Sequence, residues 1–271
     1  TTESIDFGTG ANGDGDYNSD GFSDLVYGAP GALNDAGAVN IHYGSVDGYA
    51  VTPDLVLVGP HEGARFGASL AMVGDVDGDG YDDLLIGAPA HNNASGNSTG
   101  AVFLYSGFAT GLNSIPGWTD SGDTLDGLFG AHVEAAGDVN NDGFSDIIVS
   151  EMGWEGLDEG LGRVHVYLGN TTLESAATII EGHEDDLILG YAILGVGDAN
   201  GDGYDDIVIG SSMEQTALSG RGSAQVHHGS ANGIGSTANQ TWSMMDQWTL
   251  FGNSLSALGD INGDGYDDLA V

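Results

Sequence analysis

The stretch that decides the fold of this chain runs from Asp75 to Pro89 and reads Asp-Val-Asp-Gly-Asp-Gly-Tyr-Asp-Asp-Leu-Leu-Ile-Gly-Ala-Pro. Its first nine residues form an acidic, glycine-rich loop, and the rest is an apolar run that ends in a turn signal. Loops of this pattern recur along the chain, beginning at Asp16, Asp75, Asp138, Asp198 and Asp260. The period is therefore about 60 residues, which suits a small sheet of about four strands in each repeat.

Other features of the sequence keep the same phase as the loops. A Phe-Gly or Leu-Gly pair precedes each loop, and a short apolar run such as Leu84-Leu85-Ile86 follows it. An alternating segment such as Ala101–Tyr105 comes next, which indicates a strand with one packed face and one partly wet face. A fourth, less regular strand is predicted just before each Phe-Gly pair, for example at Thr124-Leu125. Each repeat therefore reads as strand, acidic loop, strand, turn, strand, loop, strand.

This order of elements predicts an all-β fold, a β-propeller of four-stranded antiparallel blades with one Ca²⁺ loop in each blade. A β-solenoid is the competing architecture, but its coils are usually shorter. The segment from Phe66-Gly67 to Gly87-Ala88-Pro89 resembles the FG-GAP repeat of integrin α-subunit propellers and their prokaryotic relatives. The resemblance covers essentially the whole chain. The Gly-Ala-Pro element has drifted to Ser150-Glu151-Met152 in the third repeat and to Gly210-Ser211-Ser212 in the fourth.

Nothing in the sequence marks a second domain, so residues 1–271 are interpreted as a single FG-GAP propeller region. The predicted repeats span approximately residues 7–65, 66–128, 129–188, 189–250 and a partial fifth at 251–271. Integrin-like propellers have seven blades, so the resemblance implies an incomplete or open propeller, or a fragment of a longer protein. In an alternative, a neighbouring subunit completes the fifth blade and builds a head-to-tail filament, because unpaired strand edges invite strand addition.

The acidic loops have the composition of calcium sites, because short oxygen-bearing side chains stand at positions 1, 3, 5 and 9 of each loop. Calcium prefers six to eight oxygen ligands, whereas magnesium requires a stricter octahedron. Glycine at position 6 permits a positive φ, and position 7 is expected to add its backbone carbonyl, by analogy with loops of this type. About five Ca²⁺ sites are therefore predicted. The predicted ligands are Asp16, Asn18, Asp20, Phe22, Asp24, Asp75, Asp77, Asp79, Tyr81, Asp83, Asp138, Asn140, Asp142, Phe144, Asp146, Asp198, Asn200, Asp202, Tyr204, Asp206, Asp260, Asn262, Asp264, Tyr266 and Asp268.

The loops have two alternative interpretations, an EF-hand and a set of Asp-Gly turns without metal. An EF-hand needs a bidentate Glu at position 12, where this chain has strand residues such as Ile86. Asp at position 9 is therefore expected to replace that Glu as the bidentate ligand. Asp-Gly turns without metal are the other alternative, but they would leave several carboxylates repelling one another at short range.

Composition excludes several other classes of protein. The 271 residues include 41 acidic and 3 basic side chains, giving a net charge of −38, so nucleic acids and anionic membranes are poor partners. The absence of cysteine removes disulfides and thiolate zinc sites. No apolar run reaches the roughly 18 residues that a membrane-spanning helix needs, so no direct membrane insertion is expected. The hydrolase signature His-Glu-x-x-His is also absent, and no catalytic or cofactor-binding residue is assigned.

The remaining candidates for chemistry have simple structural explanations. His42, His165 and His227 fall at nearly equivalent places in the third strand of three repeats, which favours a structural role. Trp118 and Trp154 are predicted to lie outside the shared strands, where core packing and contact with a ligand are equally compatible with the sequence.

Together, the residues and the resemblance predict a non-enzymatic, calcium-stabilised β-propeller that is secreted and lies outside the cell or at its surface. It would serve adhesion, binding or surface assembly through a protein or glycan ligand on one propeller face. A carbohydrate-binding or carbohydrate-active propeller, lectin or lyase-like, is the first alternative. The head-to-tail filament, self-associating through the incomplete fifth blade, is the second.

Overall fold

A computed structural model describes residues 11–154, 161–183, 188–211, 222–243 and 250–271. The predicted Phe7-Gly8 pair of the first repeat lies outside these residues. Among the described residues there is one helical segment, α1 (Ala32–Asp35), and it is a single turn. Its residues Leu33, Asn34 and Asp35 have φ values of 56°, 60° and 58°, so the turn is left-handed. The described part of the chain is otherwise strands and loops.

The strands form four sheets of four strands and one sheet of two, and within each sheet neighbours in sequence are neighbours in space. The prediction of an all-β chain built from four-stranded antiparallel sheets is confirmed. The strands are β1 (Ala11–Gly15), β2 (Asp24–Ala29), β3 (Ala38–His42) and β4 (Leu55–Val58); β5 (Ser69–Gly74), β6 (Asp83–Ala88), β7 (Ala101–Tyr105) and β8 (Trp118–Ser121); β9 (Phe129–Gly137), β10 (Asp146–Glu151), β11 (Arg163–Tyr167) and β12 (Thr178–Glu181); β13 (Leu189–Gly197), β14 (Asp206–Ser211), β15 (Ser223–His227) and β16 (Gln240–Ser243); and β17 (Ser256–Gly259) and β18 (Asp268–Ala270).

The chain divides into two compact units, residues 1–133 and 134–271. In the first unit, Phe66 and the second strands β2 and β6 contribute to one buried apolar cluster. In the second unit, Leu189, β10 and β14 contribute to another. Every residue of β6, β10 and β14 is buried. The short apolar runs of the sequence are therefore strands covered on both faces, as their lack of alternation predicts.

The predicted position of the fourth strand is wrong. The sequence predicts this strand at Thr124-Leu125, but in the second sheet it is β8, and Thr124-Leu125 follow it in a turn. β8 pairs only with β7, and few of its residues are apolar, so the sequence gives little sign of this strand. Trp118 is consequently a strand residue, half-buried in β8, and Trp242 of β16 packs against the apolar cluster of the fourth sheet.

The Phe-Gly and Gly-Ala-Pro elements meet at a joint between successive sheets. A Cβ atom on Gly87 of β6 would lie 2.1 Å from the carbonyl oxygen of Gly130, which follows Phe129 in the next sheet. Gly28 makes the same approach to Gly67, at 2.0 Å. Because the two backbones meet with no room for a side chain, these two joints need glycine on both sides.

The third sheet shows how the drifted Gly-Ala-Pro element is accommodated. Ser150 stands at the joint in place of glycine, and its Cβ lies 3.1 Å from the point where a Cβ on Gly190 would lie. Next to it, Glu151 faces Arg163 across the strand pair, where the second sheet pairs Ala88 with Ala101. This sheet therefore has charged residues where its neighbour has two small apolar ones.

Glu151, Arg163 and His165 form a buried ionic cluster. Arg163 Nε and His165 Nε2 lie 2.6 Å and 3.0 Å from the same carboxylate oxygen of Glu151, which is fully buried. Burial alone raises the pKa of Glu151, but the hydrogen bonds from His165 and Arg163 outweigh it and hold this pKa below its usual value. The Arg163 guanidinium also lies 5.3 Å from the centre of the Trp154 ring, so Trp154 covers the cluster.

Gly87→Ala is expected to lower the free energy of unfolding by about 1–3 kcal/mol, because the new methyl group meets the Gly130 carbonyl. Thermal unfolding with excess calcium measures the change. Gly117→Ala is the control, since the one atom near its Cβ position is Ser106 Oγ at 3.5 Å. Equal melting temperatures for the two variants would show that the joint tolerates a side chain.

Arg163→Ala is expected to lower the free energy of unfolding by about 3–5 kcal/mol, because it removes one partner of a buried carboxylate. The double variant Glu151→Ala/Arg163→Ala recreates the Ala88 and Ala101 pair of the second sheet and should recover most of the loss. Urea unfolding at pH 7 measures both. Since folding lowers the pKa of Glu151, its contribution is complete above the ordinary value of 4.5 and is lost as the pH falls through the lowered pKa. A double variant no more stable than the single one would contradict this account.

Candidate metal centre

Each acidic loop joins the first two strands of its sheet, and its ninth residue is the first residue of the second strand. In the second sheet the loop begins at Asp75, directly after β5, and ends at Asp83, where β6 begins. The glycines at position 6 have φ values of 88°, 90°, 92°, 91° and 92° in the five loops, in chain order. This left-handed conformation turns each loop back on itself.

The carboxylate at position 1 accepts hydrogen bonds from the backbone N–H groups of its own loop. Asp75 Oδ1 accepts the Asp79 N–H at 3.0 Å, and Asp75 Oδ2 accepts the Gly80 N–H at 2.8 Å. The same two hydrogen bonds, from positions 5 and 6, recur in the other four loops. The backbone therefore delivers two hydrogen-bond donors to one carboxylate in every loop.

Positions 3 and 5 form local turns that fix their side chains. Asp79 Oδ1 accepts the Tyr81 N–H at 3.0 Å, and position 5 makes this bond to position 7 in every loop. Asp77 Oδ1 accepts the Asp79 N–H at 3.2 Å, while its Oδ2 accepts a hydrogen bond from Ser106 Oγ at 2.8 Å. The acidic side chains are thus already oriented by hydrogen bonds, as local Asp turns allow.

The carboxylate at position 9 ties the loop to the rest of the sheet. Asp83 is fully buried; its Oδ2 accepts the Val76 N–H at 3.0 Å, and its Oδ1 accepts the Gly107 N–H at 3.1 Å. Asp24 and Asp146 make the corresponding pairs of hydrogen bonds. One side chain therefore connects the start of the loop, the second strand and the end of the third strand.

The glycines that bind position 9 were missed by sequence reasoning. Gly44, Gly107, Gly169 and Gly229 follow the third strand of each four-stranded sheet and donate their N–H to the position 9 carboxylate. Their constant phase relative to the acidic loops is visible in the sequence and could have revealed them. The fourth loop differs at one contact, since His228 Nδ1 lies 3.0 Å from Asp206 Oδ2, where other loops place a backbone N–H.

Burial dominates the electrostatics of position 9. Burial, together with the nearby loop carboxylates, raises the pKa of Asp83 and that of Asp146 to about 7, although backbone hydrogen bonds act in the opposite direction. Burial also raises the pKa values of Asp24 and Asp206. At exposed Asp260, by contrast, the backbone N–H of Gly265 lowers the pKa. A cation next to position 9 would oppose the effect of burial by stabilising the charged form.

The second loop brings three predicted ligands together. Carboxylate oxygens of Asp75, Asp77 and Asp83 lie within 4.8 Å of one another. Two oxygens bound to one Ca²⁺ at 2.3–2.6 Å can be at most about 4.6–5.2 Å apart, so these three fit a single calcium ion. Among the described residues this is the one such group of three acidic or histidine side chains, because the other loops have Asn at position 3. The backbone carbonyls at position 7 and the bidentate role of position 9 stay predictions.

Two strand histidines, His42 and His227, form hydrogen bonds with the backbone of nearby loops. His42 pairs with Leu25 and His227 with Ile207, at equivalent strand positions, whereas His165 stands two residues earlier. His42 Nδ1 lies 2.8 Å from Ala50 O, and His227 Nδ1 lies 3.1 Å from Gly235 O. Burial lowers the pKa of His227, which favours the neutral imidazole. These contacts support the structural interpretation of both residues.

Comparisons with known proteins agree with the repeat pattern. The model of the FG-GAP repeat matches residues 7–41, 66–105 and 251–271, and the model of the FG-GAP-like repeat matches residues 138–209. Integrin alpha-5 of Xenopus laevis is 34% identical over 176 residues, which is 60% of this chain and 16% of that protein. Integrin alpha-6 of Gallus gallus is 31% identical over 202 residues, 72% of this chain and 18% of that protein. The chain thus spans less than a fifth of the length of these two curated relatives.

Within the described ranges, no helix is long and apolar enough to span a membrane. The four-stranded antiparallel sheets and the repeat matches agree with one another, and together they support a fold of the β-propeller type. The resemblance to the FG-GAP repeat is therefore confirmed, and the chain belongs to the FG-GAP repeat family.

Proposed function

We propose that this chain is a calcium-stabilised, extracellular binding module of the adhesion type, with one Ca²⁺ in each of its acidic loops. The observation that carries the proposal is the convergence of Asp75, Asp77 and Asp83 within a loop whose hydrogen bonds recur in four other loops. Similarity to integrin alpha subunits supports an adhesion-type propeller rather than an enzyme. The ligands proposed for all five ions are those predicted from the sequence.

Calcium in these loops would stabilise the sheets. Asp83 links its loop, β6 and Gly107, which lies two residues after β7, and it is fully buried. Burying a carboxylate among other carboxylates is costly, and a bound cation offsets that cost. Because the unfolded chain has no preformed site, the binding free energy of each ion adds to the free energy of unfolding.

The proposed location outside the cell follows from charge and from calcium chemistry. Twenty-five of the 41 acidic residues lie outside the ligand positions, and only 3 basic residues balance them. Such a surface stays hydrated, and its self-repulsion is screened in a saline exterior. Loop sites of extracellular modules also bind calcium weakly enough to need the higher concentrations found there. The partner would be a protein or glycan that meets one propeller face.

A second candidate function, sugar binding, is favoured by one cavity in the second unit. It has a volume of about 420 Å³, and Glu181, His183, Gln225, Ser236 and Thr241 are among its lining residues. Gln225 is buried, and its Oε1 lies 3.3 Å from His227 Nε2, so its amide is held in place. Hydroxyl, amide and carboxylate groups without a fixed cation suit a neutral, polyhydroxylated ligand.

Removing calcium with EDTA is expected to lower the melting temperature by at least about 5 °C, because each occupied loop stabilises the folded state by a few kcal/mol. Differential scanning calorimetry with and without calcium measures the shift. Readdition of calcium, but not of magnesium at the same concentration, should restore the melting temperature. An unchanged melting curve in EDTA would overturn the calcium proposal.

A matched pair of variants separates site binding from general charge screening. Asp83→Asn removes a buried carboxylate of the second loop, so isothermal titration calorimetry should count one Ca²⁺ fewer. Asp47→Asn removes the same charge from an exposed residue outside the loops and should leave the count unchanged. Equal counts for the two variants would contradict the assignment of Asp83.

The sugar-binding candidate predicts that neutral mono- or disaccharides on a glycan array capture the protein. Gln225→Leu should abolish this capture, because it removes the amide that faces the cavity while keeping a similar volume. Thr119→Val, at an exposed position of β8, serves as the control and should bind normally. Capture that survives Gln225→Leu would place the sugar elsewhere, and no capture at all would favour a protein ligand.

A further inference from the structure

Position 8 of the acidic loops is outside the predicted ligand set, yet it contacts the preceding loop. This residue is Asp in the second, fourth and fifth loops and Ser in the first and third. It stands directly before the buried position 9 carboxylate, at the start of the second strand. The residues concerned are Ser23, Asp82, Ser145, Asp205 and Asp267.

The link is most complete between the third and fourth loops. Asp205 Oδ2 accepts the backbone N–H of Asp138 at 2.8 Å, and the Asp205 N–H donates to the Asp138 carbonyl at 3.2 Å. Asp138 is position 1 of the third loop, around which that loop is wrapped. The fourth loop therefore holds the third loop at its central residue, through a carboxylate and a backbone amide.

The residue before position 1 provides the space that this carboxylate needs. Gly137 has a φ of 81°, and a Cβ on it would lie 2.1 Å from Asp205 Oδ2. Gly197 has a φ of 76° and stands in the same relation to Asp267 Oδ2, also at 2.1 Å. Glycine is needed directly before position 1, because a side chain there would occupy the space taken by the carboxylate of the next loop.

The same link is present elsewhere in weaker form. In the first unit, Asp82 Oδ2 accepts the Asp16 N–H at 3.4 Å, again at position 1 of the preceding loop. In the second unit, the Asp267 N–H donates to the Asp198 carbonyl at 3.4 Å. The contact therefore recurs in the three loop pairs whose later loop has Asp at position 8.

A second path connects two of these pairs of loops. Gly229 donates its N–H to Asp206, the position 9 carboxylate of the fourth loop, and a Cβ on Gly229 would lie 2.6 Å from the Val139 carbonyl. Val139 in turn donates its N–H to Asp146, the position 9 carboxylate of the third loop. In the first unit, Tyr17 and Gly107 make the corresponding connection. Two buried carboxylates of consecutive loops are thus joined through one glycine.

We propose that the position 8 aspartates are positioning residues that couple cation binding in consecutive loops. An ion in the fourth loop fixes Asp206 and its neighbour Asp205, which holds the backbone of Asp138 in the geometry that the third loop needs to bind. Coupling between two sites is reciprocal, so an ion in the third loop favours binding in the fourth to the same degree. This inference rests on the proposed calcium function.

Site-resolved hydrogen–deuterium exchange of the full chain, measured across a calcium titration, tests the coupling. Peptides covering residues 138–146 and 198–206 report the third and fourth loops separately. Asp202→Ala, which removes a predicted ligand of the fourth loop, should move the calcium midpoint of the third loop upward by about fivefold or more. Asp205→Ser should cause a similar shift, and combining the two substitutions should add little, because both interrupt one connection.

The controls keep the result interpretable. Ser is the native residue at this position in two loops, so Asp205→Ser is compatible with the loop fold. Asp205→Asn, which keeps an acceptor oxygen, should shift the third-loop midpoint less than Asp205→Ser. Asp47→Ser, at an exposed residue outside the loops, should leave both midpoints unchanged. An unchanged third-loop midpoint in Asp202→Ala and Asp205→Ser, with normal calcium protection of that loop, overturns the coupling alone. A wild-type chain in which no loop responds to calcium overturns the proposed function as well.

Discussion

The buried carboxylate at position 9 of each of the first four acidic loops is the interaction on which each four-stranded sheet depends. Asp83 accepts one N–H from the loop and another from Gly107, two residues after the third strand, and it begins the second strand itself. A buried carboxylate tolerates few substitutes, because its charge must be met by several donors or by a cation. The hydrogen bonds of position 9 that hold the sheet together therefore also place the candidate metal ligands.

Successive sheets are joined at two places with different chemistry. At the Phe-Gly and Gly-Ala-Pro joints formed by Gly28 and Gly87, backbone meets backbone and no Cβ fits. At the acidic loops, Asp82 and Asp205 reach the preceding loop through hydrogen bonds. The first kind of contact depends on shape, whereas the second depends on hydrogen bonds to acidic side chains.

The third sheet shows that this architecture tolerates change at the end away from the loop. Ser150 replaces a joint glycine, and Glu151 with Arg163 replaces a pair of alanines. The acidic loop of the same sheet keeps the hydrogen bonds from positions 5 and 6 to position 1, from position 7 to position 5, and from Val139 and Gly169 to position 9. The residues at the end of the strands away from the loop therefore differ between sheets, whereas the hydrogen bonds of the acidic loop are retained.

The sequence by itself determined the repeat, the second and third strands and the five acidic loops, because each depends on residues close together in the chain. It misplaced the fourth strand, since β8 pairs on one side only and has few apolar residues to mark it. Only the tertiary structure decided that Gly107 binds Asp83 and that Asp205 holds Asp138, because these partners lie 24 and 67 residues apart in the chain. Contacts of that range depend on how strands and sheets are placed, and local pattern does not encode that placement.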